Sequence, residues 1–385
     1  MSKQTFVGQQ SYSKGLEDVP VCESKIGYVD GEKGWLVYRG YEIADLIQFS
    51  SFEETSYLTL YGKLPTSGEL SSFQQKLIQA RTIPQGIGDI VCSLPSDGNP
   101  MAAVRTAFSA LGSFEKKAEK FDLREWTDIG VKQISQMATV VGAIGRHRMN
   151  LPPVQPDPSL GHTANLMWML TGRKPNEKMT KVMDIAMILH VDHEMNASTF
   201  ASMAVASSLA DMYSAVTGGI ASLKGPLHGG ANEEVVKMLL EIGSVEKADA
   251  WLDNAFASKK KVSGFGHRVY RTYDPRAVIL KKYAEEAANE SGNRHLFDIA
   301  LQVEKRVVQQ YGVKGIFPNV DFFSGIVYYC YGIVPELFTP IFAASRVTGW
   351  VARIVEYLQD NRLFRPRAIY TGDLKATYVL LDKRT

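Results

Sequence analysis

Between residues 275 and 311, apolar side chains return every three or four positions. In "DPRAVILKKYAEEAANE" they are Ala277, Leu280, Ala284 and Ala287, and in "HLFDIALQVEKRVVQQYG" they are Leu296, Ile299, Ala300, Val303 and Val307. This period places each set on one face of an α-helix. Asp274 is the expected cap of the first helix, with Pro275 at the opening position, where a missing N–H costs nothing. The period recurs at Val235, Met238, Leu239 and Ile242, after Asn232 as expected cap and with Glu233 and Glu234 in the acid-favouring first turn. Further helices are expected near 246–258 and, as a long final one, at roughly 336–359.

Residues 196–217 carry small side chains on most faces and read as one helix ended by Gly218 and Gly219, suited to close burial. "LPPVQPDPSLG" (151–161) has four prolines in seven residues and reads as a loop, with Ser159 as expected cap of a helix stopped by Gly172. Only "KIGYVDGEKGWLVYRG" (25–40) gives a convincing β signal: a small hairpin around Asp30-Gly31 and Gly34. The first 20 residues are polar and read as a loose or docking arm. No internal repeat or low-complexity tract is present. The expected fold is mainly α, with a small N-terminal β-hairpin and two domains. A large helical domain would comprise 1–228 and 331–385, and a small helical domain 229–330, with ligands in the cleft between them.

The 385 residues include 43 basic and 41 acidic side chains, so the formal net charge of +2 supplies no global drive toward nucleic acid. Any anion site must be local. Cys22, Cys92 and Cys330 are scattered and form no C-x-x-C pair, which argues against a disulfide framework or a cysteine zinc site. The N-terminal stretch resembles neither a secretory signal nor an organelle presequence, and no apolar run is long enough to span a membrane. A cytoplasmic protein without membrane partners is expected.

Candidate chemistry concentrates in a few short stretches. In "KGPLHGGAN" (224–232), His228 lies between a Gly-Pro step and a glycine pair, so a constrained turn presents the imidazole at a helix N-terminus. That end of the helix dipole penalises the imidazolium and favours a neutral ring that donates one hydrogen bond. For a lone histidine, simple packing in a tight turn is the blander reading. In "SGFGHRVYRTYDPRA" (263–277), Gly264 and Gly266 precede His267, and Arg268, Arg271 and Arg276 follow. The third glycine of a dinucleotide fingerprint is absent and no strand precedes it, which excludes a Rossmann site. With Lys259, Lys260 and Lys261 upstream, the arginines form a local cationic belt for phosphates or carboxylates.

In "FPNVDFFSG" (317–325), Asp321 stands among Phe317, Val320, Phe322 and Phe323. It is either a helix cap or a carboxylate made more basic by desolvation. "HVDHEMNAS" (190–198) sets His190 and His193 three residues apart beside Asp192 and Glu194, a spacing that permits a metal but lacks a further ligand set. "SRVTGW" and "LFRPRAIYTG" place Arg346 and Arg365 in apolar settings, where arginine is often a buried ion-pair partner. Two or three imidazoles, one desolvated carboxylate and several arginines suit proton abstraction next to a carbonyl, enolate stabilisation and capture of a polycarboxylate electrophile.

"GPLHGGAN", "GFGHRVYRTYDPR", "NVDFFSG", "SRVTGW" and "FRPRAIYTG" stand in the order and approximate spacing of the citrate synthase family, which this chain resembles from about Ile26 to Gly372. The resemblance implies that His228, His267 and Asp321 are the catalytic trio. It implies that His193, Arg276, Arg346 and Arg365 bind oxaloacetate, the last across a homodimer interface, and that Arg271, Lys259 and Lys261 lie near the phosphates of coenzyme A. Acetyl-CoA and CoA would be substrate and product, with no permanently bound cofactor and no metal. The small domain would close over oxaloacetate to complete the acetyl-CoA site. The chain resembles the short bacterial and archaeal members, without the N-terminal β-rich domain of the longer NADH-regulated ones. 2-Methylcitrate synthases, which accept propionyl-CoA, share the motifs. Two alternatives of other classes are a metal hydrolase centred on His190, Asp192, His193 and Glu194, and a non-catalytic helical anion-binding scaffold.

Overall fold

The computed structural model describes residues 12–384, so only Tyr12 onward of the expected N-terminal arm lies within it. Its sheet is antiparallel, in the order β1 (Gly27–Asp30), β2 (Trp35–Tyr38), β3 (Tyr41–Glu42). Tyr28 lies opposite Val37, as the predicted hairpin requires. The third strand was not foreseen. It follows because Arg39 and Gly40 both take positive φ, 50° and 89°, the pattern of a two-residue hairpin turn.

Beyond the sheet, the regular elements of the described residues are helices. First come α1 (Ile43–Phe49), α2 (Phe52–Tyr61), α3 (Ser67–Gln79), α4 (Gln85–Ser93) and α5 (Pro100–Gly112). Then follow α6 (Leu123–Arg148), α7 (His162–Thr171), α8 (Glu177–His190), α9 (Ala197–Ala206) and α10 (Met212–Leu223). The third group is α11 (Ala231–Ile242), α12 (Val245–Ala257), α13 (Pro275–Ser291), α14 (Arg294–Tyr311) and α15 (Val320–Cys330), and α16 (Phe338–Leu358) closes the bundle. α16 is buried along almost its whole length and packs against α6, α9, α2, α10 and α8. Close approach is what allows this: a Cβ at Gly130 of α6 would meet the Val351 side chain of α16 at 2.3 Å, and where α6 meets α7 a Cβ at Gly142 would meet Met169 at 2.6 Å. α11 to α15 pack mainly on one another, α13 against α15 and α14, α11 against α15, and α12 against α14.

Most predicted helices stand where the pattern put them. Asp274 caps α13, accepting from the Arg276 N–H, with Pro275 at the first position, and the Ala277, Leu280, Ala284 and Ala287 stripe is buried. The stripe of α14 is buried too, and Gly172 ends α7 in the left-handed conformation.

Three local readings need correction. Residues 196–217 form two helices, because the chain turns at Leu209, φ 62°, and Asp211 starts α10 by accepting from the Tyr213 and Ser214 N–H groups. Gly218 and Gly219 therefore lie inside α10 as contact points, where a Cβ would meet Val205 and the Trp350 ring at 3.0 Å each. Ser159 does not cap α7. Its N–H and hydroxyl both bind Asp157 Oδ1 (2.8 and 2.6 Å), while Glu53 of α2 accepts the His162 N–H (2.8 Å) and caps α7 from a distant part of the chain. Asn232 lies within the first turn of α11, buried, and the cap position is Gly230 at φ 87°.

Gly130→Ala should destabilise the protein by about 1–3 kcal/mol through overpacking against Val351. Gly68→Ala, in α3, would meet nothing within 4 Å and should leave stability unchanged or slightly raised. Urea midpoints of the two variants against the parent check both.

Candidate active site

The tight link between α10 and α11 presents His228. The His228 and Gly229 N–H groups both donate to the Gly225 carbonyl, at 3.0 and 3.1 Å. A Cβ at Gly229 would lie 2.2 Å from the Leu223 carbonyl oxygen, so only glycine fits there. The ring's Nε2 accepts from the Ser198 backbone N–H (3.2 Å) and lies 2.7 Å from Ser198 Oγ, which itself accepts from the Trp350 indole N–H (3.1 Å). A backbone N–H can only donate, so Nε2 is bare and the neutral ring carries its proton on Nδ1. Burial, then the Arg346 guanidinium, lower the His228 pKa to about 4. Burial is thus the first cause of neutrality, where the sequence pointed to the helix terminus.

His267 is held in the opposite tautomer. Its Nδ1 accepts from the Val269 and Tyr270 N–H groups (3.0 and 3.3 Å), leaving the proton on Nε2. Burial, then Arg276, bring its pKa to about 4. The loop before it is locked to the segment that leads into α15. The Gly266 N–H donates to the Phe317 carbonyl (2.9 Å), the Asn319 N–H to the Gly264 carbonyl (2.9 Å), and Asn319 Nδ2 to the Gly266 carbonyl (3.1 Å). His193 packs edge-on against His267 with ring centroids 4.9 Å apart, and its Nε2 lies 3.2 Å from the Tyr270 hydroxyl. Burial, then Arg276, hold His193 well below the usual histidine range.

Asp321 is the second residue of α15, and the cap is Asn319, whose Oδ1 accepts the Asp321 N–H (3.0 Å). The alternative left open by the sequence is thereby resolved in favour of a desolvated carboxylate. Burial raises its pKa to about 6 against the opposing pull of Arg276.

Arg276 and Arg346 are 3% and 1% exposed. Asp274 holds Arg276 through Nε to Oδ1 (3.0 Å) and Nη2 to Oδ2 (2.7 Å). Arg346 donates from Nε to the His190 carbonyl (2.7 Å) and lies over the Phe342 ring, and burial lowers its pKa to about 10. Among the described residues it makes no ion pair with a carboxylate, so its charge is available to an anion. The charges of both arginines and of Lys261 act on Asp321.

Other expected residues lie apart. Arg365 is exposed in the stretch after α16. Arg271, Lys259 and Lys261 are exposed on the loops around His267. The 190–194 group does not converge as metal ligands do: His190 Nδ1 donates to the Ala186 carbonyl (2.6 Å), and Asp192 is bound by Arg353 at 3.1 and 2.7 Å. Sequence reading missed Ser198, Tyr270 and Trp350. Ser198 lies 30 positions from His228 and carried no local signal, whereas Asp274 in "DPR" was legible as a cap but not as the partner of Arg276.

A family model described as "Citrate synthase, C-terminal domain" matches residues 15–367. The chain belongs to the citrate synthase family. It is 45% identical to a citrate synthase of Deinococcus radiodurans, over 97% of this chain and 99% of that one. It is 40% identical to citrate synthase 2 of Bacillus subtilis, over 97% and 99%. Among solved structures it is similar to the ternary complex of carboxymethyl coenzyme A and oxaloacetate with citrate synthase from Thermoplasma acidophilum, at TM-score 0.94 and 38% identity, covering 98% of this chain and 100% of that one. The citrate synthase of Pyrobaculum aerophilum aligns at TM-score 0.90 with 40% identity over the whole of both chains. The chain is thus an enzyme of the acyltransferase type, and its mainly helical architecture is that of the citrate synthases.

The neutral histidines of this citrate synthase fold set a pH dependence. His162, His190, His193, His228 and His267 all have lowered pKa values, so over the window from about 6.5 to 4 the unfolded chain binds protons that the folded chain does not. Their contribution to stability is lost as pH falls. Asp321, raised by burial to about 6, and Asp184 and Glu194, also raised by burial, act in the opposite direction, but they are three against five. Stability measured by urea titration should fall between pH 7 and pH 5.

Proposed function

We propose that the protein condenses acetyl-CoA with oxaloacetate to citryl-CoA and hydrolyses this to citrate and CoA, the entry step of the tricarboxylic acid cycle. One observation carries the proposal. Two neutral imidazoles with fixed and opposite tautomers share a site with a carboxylate of raised pKa and two buried guanidiniums. The similarity to a citrate synthase solved with oxaloacetate and a coenzyme A analogue supports the same substrates here.

Asp321 removes a methyl proton from the acetyl thioester as general base, and its pKa of about 6 gives it more basicity than an ordinary carboxylate while leaving it ionised at pH 7. His228 donates from Nδ1–H to the thioester oxygen as enolate charge develops there. His267 donates from Nε2–H to the keto oxygen of oxaloacetate, and the enol carbon forms the new C–C bond while that oxygen takes the proton. Water then cleaves the thioester of citryl-CoA, releasing CoA as the thiol. Arg276 and Arg346, with His193, bind the carboxylates of oxaloacetate, and bidentate guanidinium contacts orient its keto carbon.

Arg365 completes the site from a second copy in a homodimer. Exposed apolar residues along the same C-terminal stretch, among them Leu363, Ile369, Tyr370, Tyr378 and Leu381, fit such docking. Residues 229–330 act as a small domain that closes on the rest, and Arg271, Lys259 and Lys261 meet the phosphates of coenzyme A. Closure shields the enolate from water. With no helix among the described residues long and apolar enough to cross a membrane and three unpaired cysteines, we place the enzyme in the cytoplasm.

Thiol release from acetyl-CoA, with and without oxaloacetate and repeated with propionyl-CoA, tests the reaction. Oxaloacetate-dependent release that is faster with acetyl-CoA is expected; a propionyl-CoA preference assigns 2-methylcitrate synthesis, and no release with either donor refutes the condensation. Asp321→Asn should lower kcat by about 10² to 10⁴ with the fold intact. In the parent, kcat should rise with pH through about 6 as Asp321 ionises, and that limb should vanish in the variant.

A further inference from the structure

The β1–β2 hairpin carries none of the groups assigned above, yet its turn meets the His267 loop backbone to backbone. The Gly31 carbonyl accepts the Arg271 N–H at 3.0 Å. A Cβ at Gly31 would lie 2.1 Å from the Val269 carbonyl oxygen and 2.7 Å from its carbon, and a Cβ at Gly34 would lie 2.8 Å from the Tyr273 carbonyl oxygen. The turn therefore touches both ends of 269–273 at separations that only glycine permits. Asp30 shapes it from within, its Oδ1 accepting the Glu32 and Lys33 N–H groups at 3.1 and 2.9 Å.

The contact reaches the imidazole through one rigid unit. The Val269 carbonyl that faces Gly31 and the Tyr270 N–H that donates to His267 Nδ1 belong to the same peptide group, which is planar. Displacing that carbonyl rotates the donor. The neighbouring Val269 N–H, the shorter of the two bonds to Nδ1, hangs on the same backbone.

We propose that the hairpin turn is a positioning element for the condensation: it braces 269–273 so that His267 keeps its Nε2–H tautomer and its orientation toward substrate, and it sets where Arg271 stands. The assignment rests on the condensation reading for its kinetic consequence, but not for its geometry. The groups whose charge acts on His267, Arg276 and Asp274, and the His193 ring packed on it lie outside the turn and outside 269–273, whereas the Tyr270 ring, also packed on His267, belongs to the braced segment.

Full-length Gly31→Ala, Asp30→Ala and Asp30→Asn variants test it, with Gly68→Ala as the remote control. Gly31→Ala should lower kcat per folded molecule about tenfold or more, as misplacement by about an ångström does. Asp30→Ala should lower it less, and Asp30→Asn, which retains the Oδ1 acceptor, should restore it to within about twofold of the parent. By NMR, the His267 imidazole should titrate at least about half a unit higher in Gly31→Ala than in the parent, having lost donors to Nδ1 in a way that frees it for protonation. Lower thermal stability with unchanged kcat and unchanged His267 titration in Gly31→Ala would overturn the proposal. If Gly31→Ala does not fold, equal kcat for Asp30→Ala and Asp30→Asn overturns it. If the parent releases no thiol, the condensation reading fails by itself, and the His267 titration alone decides the brace.

Discussion

The carboxylate of Asp274 ties the site together. It caps α13, holds the Arg276 guanidinium through two bonds, and accepts the Val320 N–H (3.2 Å) one residue before Asp321. A buried ion pair repays its desolvation only when each lone pair and proton is engaged, and here the oxygens are shared among a helix end, a guanidinium and a second helix. Four consequences come from one side chain. The start of α13, the pose of Arg276, the start of α15 and thus the location of the Asp321 carboxylate are all referred to the same point.

Around that point, charge is distributed unequally. The guanidiniums remain cationic, the imidazoles stay neutral, and Asp321 sits close to the pH at which it exchanges its proton. Burial drives the last two outcomes, because a low dielectric penalises whichever form of a group is charged, while the guanidiniums stay cationic against that same penalty because their intrinsic basicity is so high. Neutral rings with fixed tautomers act as donors without adding positive charge that would draw Asp321 down to an ordinary carboxylate. The division of the site into neutral donors, one basic carboxylate and two cations is therefore electrostatic in origin.

Much of this was legible in the chain, to different depths. Helices with strong periodicity, such as α13 and α14, were readable from their stripes, and α13 from its cap as well, because cap and stripe are local. The glycine-flanked histidines were readable as presented groups because backbone constraints are local too. What could not be read was supplied from far along the chain: Glu53 capping α7, Trp350 and Ser198 fixing a tautomer of His228, and the turn at Leu209 that splits a run of small residues into two packed helices. Asp321 marks the boundary. Its neighbours announced an unusual carboxylate, but only the presence of Asn319 at the cap position freed it from the duller task.

Gly219 offers a last lesson in how stability and chemistry share residues. Its missing side chain lets the Trp350 indole lie flat against α10, and that indole donates to the serine beside His228. A larger residue at 219 could be accommodated by shrinking residue 350, an exchange that conserves core volume. The exchange would remove the indole N–H, so a swap neutral for folding is not neutral for the imidazole. Positions 219 and 350 are thus tied twice, by the space one leaves for the other and by the hydrogen bond that the indole gives to Ser198, and only the first tie could be kept by exchanging both.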